Sequence, residues 1–470
     1  MSDSFLASSS LVLLIGAVAL LVLGALKWRV AVISALILAV FEGALRKWVL
    51  PEFGQWIYFA KDLLLIGAYV GFWRPRGVRR QSQSLWHPAN GLLVAFSVLA
   101  VLELANPLQP SLMLGLFGIK AYLIYVPLMY MVPFIFADVQ ELRKFWYWYL
   151  ILAVIPLILG VIQFGAPADS VLNRYAWNDE VASGIATFSS SPRVRITGTF
   201  SYMAGYTTYL MLIFLMATSS AVSEDRKQVR YALYGVLGLL LVNLLMTGSR
   251  GPLLTLGASL VILLALTWHS RSFIRRHVIV AVCVALPLVG LLASHLFPEA
   301  LTAFQERTQQ NEDVQGRLAD LLYNPIWALA EAGPFGYGLG STHQARRFVI
   351  SGDTDDNLPP EAEGEWERIV LEAGPVGFAL VLLTRISVAR QLWRALQASQ
   401  GMQNQPFLIV AFLFSLLSIP GNLVFNHTAS IFYWFLAGFG LMTNEGAPLR
   451  VAQTTRAVGR RNEGLREHAR

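Results

Sequence analysis

Long continuous apolar runs recur from one end of this chain to the other, and they restrict its possible folds more than any other feature. As an α-helix, a run of about 18 or more apolar residues crosses the hydrocarbon core of a bilayer. The runs do not alternate between apolar and polar residues, as the strands of a membrane β-barrel would. Only 14% of the residues are charged and the mean hydropathy is +0.54, which excludes a water-soluble fold. The sequence predicts an all-α polytopic membrane protein.

The positions of these runs predict about 12–13 transmembrane helices. The candidate spans are residues 10–26, 30–45, 56–73, 89–106, 112–137, 145–165, 199–222, 231–247, 251–268, 278–297, 367–391, 406–420 and 428–445. The chain is thereby divided into helices 1 to 10 (1–297), a large polar loop (298–366), helices 11 to 13 (367–445) and a basic tail (446–470). We expect the loop to be partly helical and the tail to be disordered.

The short connections predict the orientation, because Lys and Arg accumulate in cytoplasmic loops. With these spans, the basic residues of successive connections and of the tail fall on one side, which is then the cytoplasmic side. They include Arg74, Arg76, Arg79, Arg80, Arg143, Lys144, Arg226, Lys227, Arg230, Arg271, Arg275, Arg276, Arg390 and Arg394. Topology and anionic lipid head groups account for the net charge of +7, so nucleic acid is not an expected partner.

Residues 298–366 form a long polar segment in a chain that consists mainly of spans. Its Asp and Glu residues exceed its Arg residues by eight. The predicted topology places this loop in the periplasm, since the positive-inside rule largely ignores acidic residues. Long loops inside compact domains are uncommon and are usually functional. We therefore expect the loop to take part in the function.

Several arginines near the predicted outer surface run against the positive-inside rule. They are Arg195, Arg250, Arg317, Arg346, Arg347 and Arg368. A guanidinium group is always charged and binds phosphate or carboxylate in a bidentate fork, so converging arginines would suit a lipid diphosphate. The alternative for each is an ion pair with a loop acid or a role in anchoring a helix end. We favour function for Arg250, because a charge in a turn between two apolar spans is costly.

The turn that contains Arg250 has residues suited to a tight reversal. Gly248 and Gly251 permit the reversal, and Pro252 suits the first position of a helix. Ser249 can cap that helix and leave backbone N–H groups for an anion. An ordinary hairpin between two spans would have the same residues, so both interpretations stay open.

An acidic segment, Glu361–Gly374, leads from the loop into the next span. On a helix, Glu365 and Arg368 lie on one face, and Glu372 lies on nearly the same face. A carboxylate beside a membrane cleft could have a raised pKa and accept a proton from a sugar hydroxyl. The alternative is a solvated acidic linker in which a Glu365–Arg368 pair caps the helix.

Other polar residues give weaker signals. Asp353–Asn357 has the first ligand positions of a Ca²⁺ loop, but Leu358 and Gly364 occupy the places of the required Gly and Glu, so we expect no metal. Four residues inside the apolar runs could line a polar path, namely Lys61, Asp62, Glu103 and Lys120. For Lys61, Asp62 and Lys120 the alternative is a structural pair or a place at the membrane interface.

For His427 we expect a structural role. We find no internal symmetry and no broken helices of the kind that secondary transporters have.

In this order, the motifs resemble the O-antigen polymerase and O-antigen ligase superfamily of bacterial inner-membrane glycosyltransferases. The resemblance covers residues 145–445, and its motifs are Arg195-x-x-Gly-Thr-Phe200, Ser249-Arg-Gly251, Arg317 ahead of Pro334-Phe-Gly-Tyr-Gly338, and Glu372-x-Gly374-x-x-Gly377. The segment Glu42–Trp48 and the pair Lys61-Asp62 also resemble a feature of a subgroup of exopolysaccharide polymerases.

The resemblance implies a C-type glycosyltransferase fold that uses an undecaprenyl-diphosphate-linked glycan at the periplasmic face, without a metal or another cofactor. It also implies that arginines hold the departing diphosphate, and here these would be Arg195, Arg250 and Arg317. Ligases of the family carry a His-Asn pair near the end of the large loop, where this chain has Glu363-Gly364. That difference favours a polymerase and leaves the general base open among three residues, namely Glu363, Glu365 and Glu372.

We therefore predict an inner-membrane enzyme that polymerises lipid-linked repeat units into a surface polysaccharide or exopolysaccharide. The expected partners are the lipid-linked donor and acceptor, membrane lipids and other components of polysaccharide export. Within the same class, the alternative is a ligase that transfers finished glycan to another acceptor. The alternatives of other classes are a transporter or flippase for lipid-linked sugars and a non-catalytic assembly scaffold.

Overall fold

A computed structural model describes most of the chain. The described residues are 2–74, 87–174, 187–188, 191–268, 298, 314–343, 346–350, 358–362, 364–399 and 402–442. The predicted span 278–297 and the tail 446–470 lie outside them, as do most of the connections around both.

The described residues fold mainly into α-helices. In chain order these are Ser2–Leu26 (α1), Trp28–Ala44 (α2), Gly54–Phe72 (α3), Asn90–Leu102 (α4), Leu112–Leu123 (α5), Leu128–Met131 (α6), Val139–Gly165 (α7), Met203–Ser223 (α8), Lys227–Met246 (α9), Arg250–Trp268 (α10), Val314–Ala332 (α11), Arg346–Val349 (α12), Glu365–Ala398 (α13), Gln405–Leu417 (α14) and His427–Ala437 (α15).

Short elements complete the described part of the fold. A π-helical turn, Leu45–Val49, continues α2, and 3₁₀ turns occupy Pro51–Phe53, Glu103–Ala105, Val132–Phe134, Val171–Asn173 and Gly438–Leu441. A two-stranded antiparallel hairpin, β1 (Thr187–Phe188) and β2 (Ser191–Val194), precedes α8, with Thr187 opposite Val194. The sequence did not predict this hairpin, which is too short to show a strand pattern.

The prediction of an all-α polytopic membrane protein is confirmed. Each predicted span within the described residues coincides with a helix, in two cases with a helix that is broken. Six helices of the described part, 20 to 34 residues long, have the length and apolar character needed to cross a membrane, and four shorter apolar helices accompany them. Of the six, α8 is the most enclosed, since 78% of its most apolar stretch is buried inside the protein, compared with 39–50% for the other five helices. The bundle is therefore built around α8.

Two helices are interrupted, contrary to the expectation of unbroken spans. The predicted span 112–137 ends as a helix at Leu123, passes through four turn residues that include Pro127, and resumes at Leu128. In α13, Gly374 has non-helical angles (φ 63°, ψ −175°) and Pro375 follows it. The sequence analysis was wrong on this point, because apolar character alone does not report a local loss of backbone hydrogen bonds.

The break at Gly374 folds α13 back on itself. Glu365 and Arg385 form an ion pair, whereas residues 20 apart on a straight helix are about 30 Å apart. The rings of Trp366 and Phe378 also meet, with 5.9 Å between their centroids. We call residues 365–373 the short arm of α13 and residues 375–398 its long arm.

Close backbone contact holds the break in place. A Cβ on Gly374 would lie 2.5 Å from the carbonyl oxygen of Pro334, and one on Gly336 would lie 2.6 Å from that of Leu371. Tyr337 N donates to the same Leu371 oxygen at 2.7 Å. The segment after α11 is therefore seated directly on the reversal of α13, at a distance that only glycine permits.

The connections between helices form two groups, one at each end of the bundle. In the first group, Lys47 binds Thr197, and Trp48 Nε1 donates to the carbonyl of Val171 at 2.9 Å. In the second, Arg143 lies 3.3 Å from Glu224, and Gln140 Nε2 donates to Gln403 at 3.0 Å. This grouping follows the predicted alternation of the connections, and the assignment of one end to the periplasm stays a prediction.

Glu224 organises the second group. Its carboxylate accepts hydrogen bonds from Arg226 Nε at 3.0 Å and from the hydroxyl of Tyr147 at 2.6 Å. Burial by itself would raise the pKa of Glu224, but the hydrogen bonds from Arg226 and Tyr147 outweigh burial and lower it to about 2. The charged carboxylate thus ties α7 to the connection between α8 and α9.

Gly374→Ala should destabilise the protein by about 2–4 kcal/mol, because the new Cβ would be forced against Pro334 in a backbone region that disfavours side chains. Thermal unfolding in detergent micelles measures the loss. Gly235→Ala is the matched control: a Cβ there meets nothing within 4 Å, so this helical position should gain slightly in stability. Equal midpoints for the two variants would contradict the tight contact.

The stability supplied by Glu224 should depend on pH. Since its folded-state pKa lies near 2 and its ordinary value is 4.5, the contribution is complete above the ordinary value and is lost as the pH falls toward the folded value. The measurement is the difference in unfolding midpoint between wild type and Glu224→Gln from pH 7 to pH 3. The difference should be constant at neutral pH and shrink in the acidic range, whereas the exposed neighbour in Asp225→Asn should show no comparable change.

Candidate active site

Arg195 joins two of the predicted motifs. Its Nε donates to the carbonyl of Thr247 at 2.8 Å and its Nη2 donates to Ser249 Oγ at 3.0 Å. The turn that it binds leads directly into Arg250, the first residue of α10, and Gly248 makes the reversal at φ 63°. The structure therefore brings together Arg195 and the segment that carries Arg250.

A buried glutamine fixes the backbone that follows Arg195. Gln163 Oε1 accepts from the N–H groups of Thr197 and Gly198 at 3.3 and 2.8 Å, and its Nε2 donates to Gly198 O at 3.2 Å. Below it, Asn243 Oδ1 accepts from Tyr206 at 2.7 Å. The sequence analysis missed both amides. A polar residue inside an apolar run was the available signal.

The N-terminal helices close over this loop from another side. Lys47 Nζ donates to Thr197 Oγ1 at 3.1 Å and to Gly198 O at 2.9 Å. A Cβ on Gly43 would lie 2.2 Å from the backbone nitrogen of Ser201, so α2 and the loop touch without an intervening side chain. The segment Glu42–Trp48, singled out from the sequence, is thus part of the same assembly as Arg195.

The buried charges of the N-terminal half form pairs. Glu42 pairs with Lys61 and lies 3.6 Å from Arg46, and Lys120 Nζ lies 2.8 Å from Asp62. The alternative of structural pairs is the one observed for Lys61, Asp62 and Lys120. The ring of Tyr58 packs against this cluster, since its centroid lies 4.0 to 5.4 Å from three of the cations, Arg46, Lys61 and Lys120.

Thr342, at the end of the segment seated on α13, links an arginine to a carboxylate. Arg368 donates from Nε to Thr342 Oγ1 at 3.1 Å and from Nη2 to its carbonyl at 2.7 Å. Glu372 accepts from Thr342 N at 3.1 Å, from its Oγ1 at 2.6 Å and from the hydroxyl of Tyr122 at 3.1 Å. Arg368 also lies 3.5 Å above the ring of Phe425.

His343 connects this group to the charge cluster. Its ring stacks on Phe117 at 5.5 Å, and Phe117 lies 6.1 Å from Phe59, the ring beside Lys120. Burial, together with the positive charges of Lys120 and Arg368, lowers the pKa of His343 to about 4. The imidazole is therefore neutral at physiological pH.

Glu365 has a different environment from the one predicted. It is 5% exposed and pairs with Arg385, and its other oxygen accepts from Val424 N at 2.7 Å. The alternative of a solvated linker with a Glu365–Arg368 pair is not observed, and Glu367 caps the helix by accepting from Gly364 N. Arg385 itself was missed, although a charge in a predicted span is a recognised signal.

The remaining predicted residues are placed less completely. Arg346 Nη1 donates to Pro359 O at 3.2 Å, and its Nη2 lies 4.0 Å from Glu361, the ion pair that the sequence left as an alternative. Arg317 and Arg347 lie on α11 and α12, but their side chains are not among the described parts of the chain, and Glu363 lies outside the described residues. Among the described residues, no group of three potential metal-ligating side chains converges.

Comparison with known families is consistent with these positions. Residues 235–382 match the O-antigen ligase family. This match supports a place for the chain in the O-antigen polymerase and ligase superfamily. The matched region contains Arg250, the short arm of α13 and the segment seated on that arm. Arg195 and the charged N-terminal helices precede the matched region. No curated protein shows significant similarity to the chain.

Breaking the Glu365–Arg385 pair should be strongly destabilising. Arg385→Met leaves a buried carboxylate without its cation and should cost about 3–5 kcal/mol. The double variant Glu365→Gln/Arg385→Met should cost less than the sum of the single variants, because the two side chains interact directly. Chemical unfolding in micelles provides the four free energies. Arg390→Met, which removes an exposed arginine from the same arm, is the control, and a loss no larger than that of the control would contradict a structural role for the pair.

Proposed function

We propose that this O-antigen ligase-type membrane enzyme is a polysaccharide polymerase that joins undecaprenyl-diphosphate-linked repeat units at the periplasmic face. The observation that carries the proposal is the pair of hydrogen bonds from Arg195 to Thr247 and Ser249, directly before Arg250. Arg195, in the loop after β2, thus binds the turn that leads into Arg250 at the start of α10. Such a pair suits a diphosphate better than a single surface arginine does.

In the proposed reaction, an acceptor sugar hydroxyl attacks the anomeric carbon of the lipid-linked glycan. The new C–O bond forms as the bond between that carbon and the diphosphate oxygen breaks, and the diphosphate leaves with the electron pair. Arg195, Arg250 and Arg317 stabilise the negative charge that develops on the leaving group. A carboxylate accepts the proton of the hydroxyl.

For the base, we propose Glu372, with Glu363 as the alternative. The partners of Glu372 are the neutral groups of Thr342 and Tyr122, whose hydroxyls can rotate to admit an acceptor. Glu365 has one oxygen on Arg385 and the other on backbone N–H groups, which suits a positioning role. Arg368 then orients the acceptor beside Glu372 through Thr342, and Arg346 and Arg347 are proposed to contact the glycan outside the cleft.

A flippase for lipid-linked sugars is a second candidate, because the helices broken at 124–127 and at Gly374 resemble transporter helices that bind substrate at an interruption. The break at Gly374 also serves catalysis, since it positions Arg368 and Glu372 next to Thr342. A ligase remains the rival within the family, and the nature of the acceptor distinguishes it from a polymerase.

Reconstitution with a purified lipid-linked repeat unit tests these proposals. The wild type should form polymer without added metal. Arg250→Ala should reduce the rate about 10²–10³-fold through lost charge stabilisation, and Glu372→Gln should reduce it about 10²–10⁴-fold through the lost base. Arg394→Ala, which changes an exposed arginine at the far end of α13, is the control and should be as active as wild type.

Each alternative gives a different result in the same assay. Transbilayer movement of unpolymerised substrate would favour the flippase, and transfer only to an added non-repeat acceptor would favour the ligase. Undiminished polymer from both Arg250→Ala and Glu372→Gln would refute the assigned site. Glu365→Gln should lower stability more than the turnover of the folded enzyme.

A further inference from the structure

The end of α2 carries two cations beside the proposed diphosphate site. Arg46 and Lys47 both lie in the π-helical turn that continues α2. Arg46 Nη1 donates to Ser201 Oγ at 3.1 Å, and Lys47 donates to Thr197 and Gly198. Both cations are therefore bound to the loop that begins at Arg195.

The position of these cations is fixed by direct backbone packing. Thr199 Oγ1 donates to the carbonyl of Val40 at 2.5 Å, and Gly43 touches the backbone at Ser201. A cation held by packing loses little freedom when a ligand binds, so its contribution to affinity is not offset by an ordering cost.

Charge balance distinguishes Lys47 from its neighbours. Among the described residues, the ion pairs of this cluster join Glu42 to both Arg46 and Lys61, and none of them includes Lys47. Lys47 is only 3% exposed, and its polar contacts are a hydroxyl, a carbonyl and the ring of Trp48 at 4.5 Å. A buried ammonium group with neutral partners is costly, and an anion bound nearby offsets that cost.

We propose that Lys47 is a further ligand-binding residue, which together with Arg46 and Arg195 binds the diphosphate of the lipid-linked substrate. An ammonium group has three N–H donors, two of which have acceptors on Thr197 and Gly198, so the third can serve a phosphate oxygen. This inference rests on the proposed function and extends the anion site to a helix that lies before the matched ligase region.

Binding of a soluble diphosphate to the purified full-length protein in nanodiscs tests the role of Lys47. The probe is farnesyl diphosphate, titrated in zwitterionic lipid and again with phosphatidylglycerol added as a competing source of phosphate. Lys47→Met should weaken binding about 10- to 100-fold, and Lys47→Arg should weaken it less. Lys27→Met, which changes an exposed cation at the opposite end of α2, should bind as wild type does.

A purely structural role of Lys47 makes a different prediction. Thr197→Val removes one acceptor of Lys47 but keeps the charge, so it should retain most of the affinity if the charge binds the ligand. Equal losses of affinity in Thr197→Val and Lys47→Met would overturn the proposal. Lys47 would then serve only to hold α2 against the loop. The proposal would also be overturned if Lys47→Met changed only how strongly phosphatidylglycerol competes with farnesyl diphosphate, and left the affinity in zwitterionic lipid unchanged.

The same titration separates this inference from the proposed function. If Arg250→Ala loses affinity and Lys47→Met does not, the assignment of Lys47 fails while the diphosphate site stands. If the wild type itself binds no farnesyl diphosphate, the proposed function fails, and the assignment of Lys47 fails with it.

Discussion

The two hydrogen bonds of Arg195 hold the candidate site together. One acceptor is the carbonyl of Thr247, which follows the last residue of α9, and the other is the hydroxyl of Ser249. Thr247 is buried, so its carbonyl would lose this donor without access to solvent if the guanidinium were absent. The loop that Arg195 begins also carries the contacts of Gln163 and Lys47, so the position of several helices depends on this one side chain.

A second constraint acts at the other end of the site. The segment after α11 rests on the backbone of α13 through glycines, and Thr342 then meets both Arg368 and Glu372. Glycine contacts are short and admit one geometry, so they position a threonine more precisely than side-chain packing would. The polar groups of the loop are thereby placed against spans from both halves of the chain.

Hydrophobicity was enough to predict the helices, because a helix that crosses a membrane must be apolar for most of its length. It was not enough to predict the breaks, which arise from single residues such as Pro127 and Gly374. Arg195 and Arg250 could be selected from the positive-inside rule, but their proximity depends on the packing of α7, α8 and α9. Glu365 was selected for its position on a helical face, and its pairing with Arg385 could not be predicted because the reversal at Gly374 brings the two arms of α13 together.

The reversal at Gly374 determines which part of the long arm the short arm contacts. The long arm has 24 residues and a length of about 36 Å, enough for one crossing by itself. Arg385 is eleven residues from the break, about 16 Å along that arm and close to its midpoint. Since Glu365 binds Arg385, the start of the short arm lies beside the middle of the long arm. The short arm then runs back from there to the break, so two polar ends of helix segments meet inside the bundle.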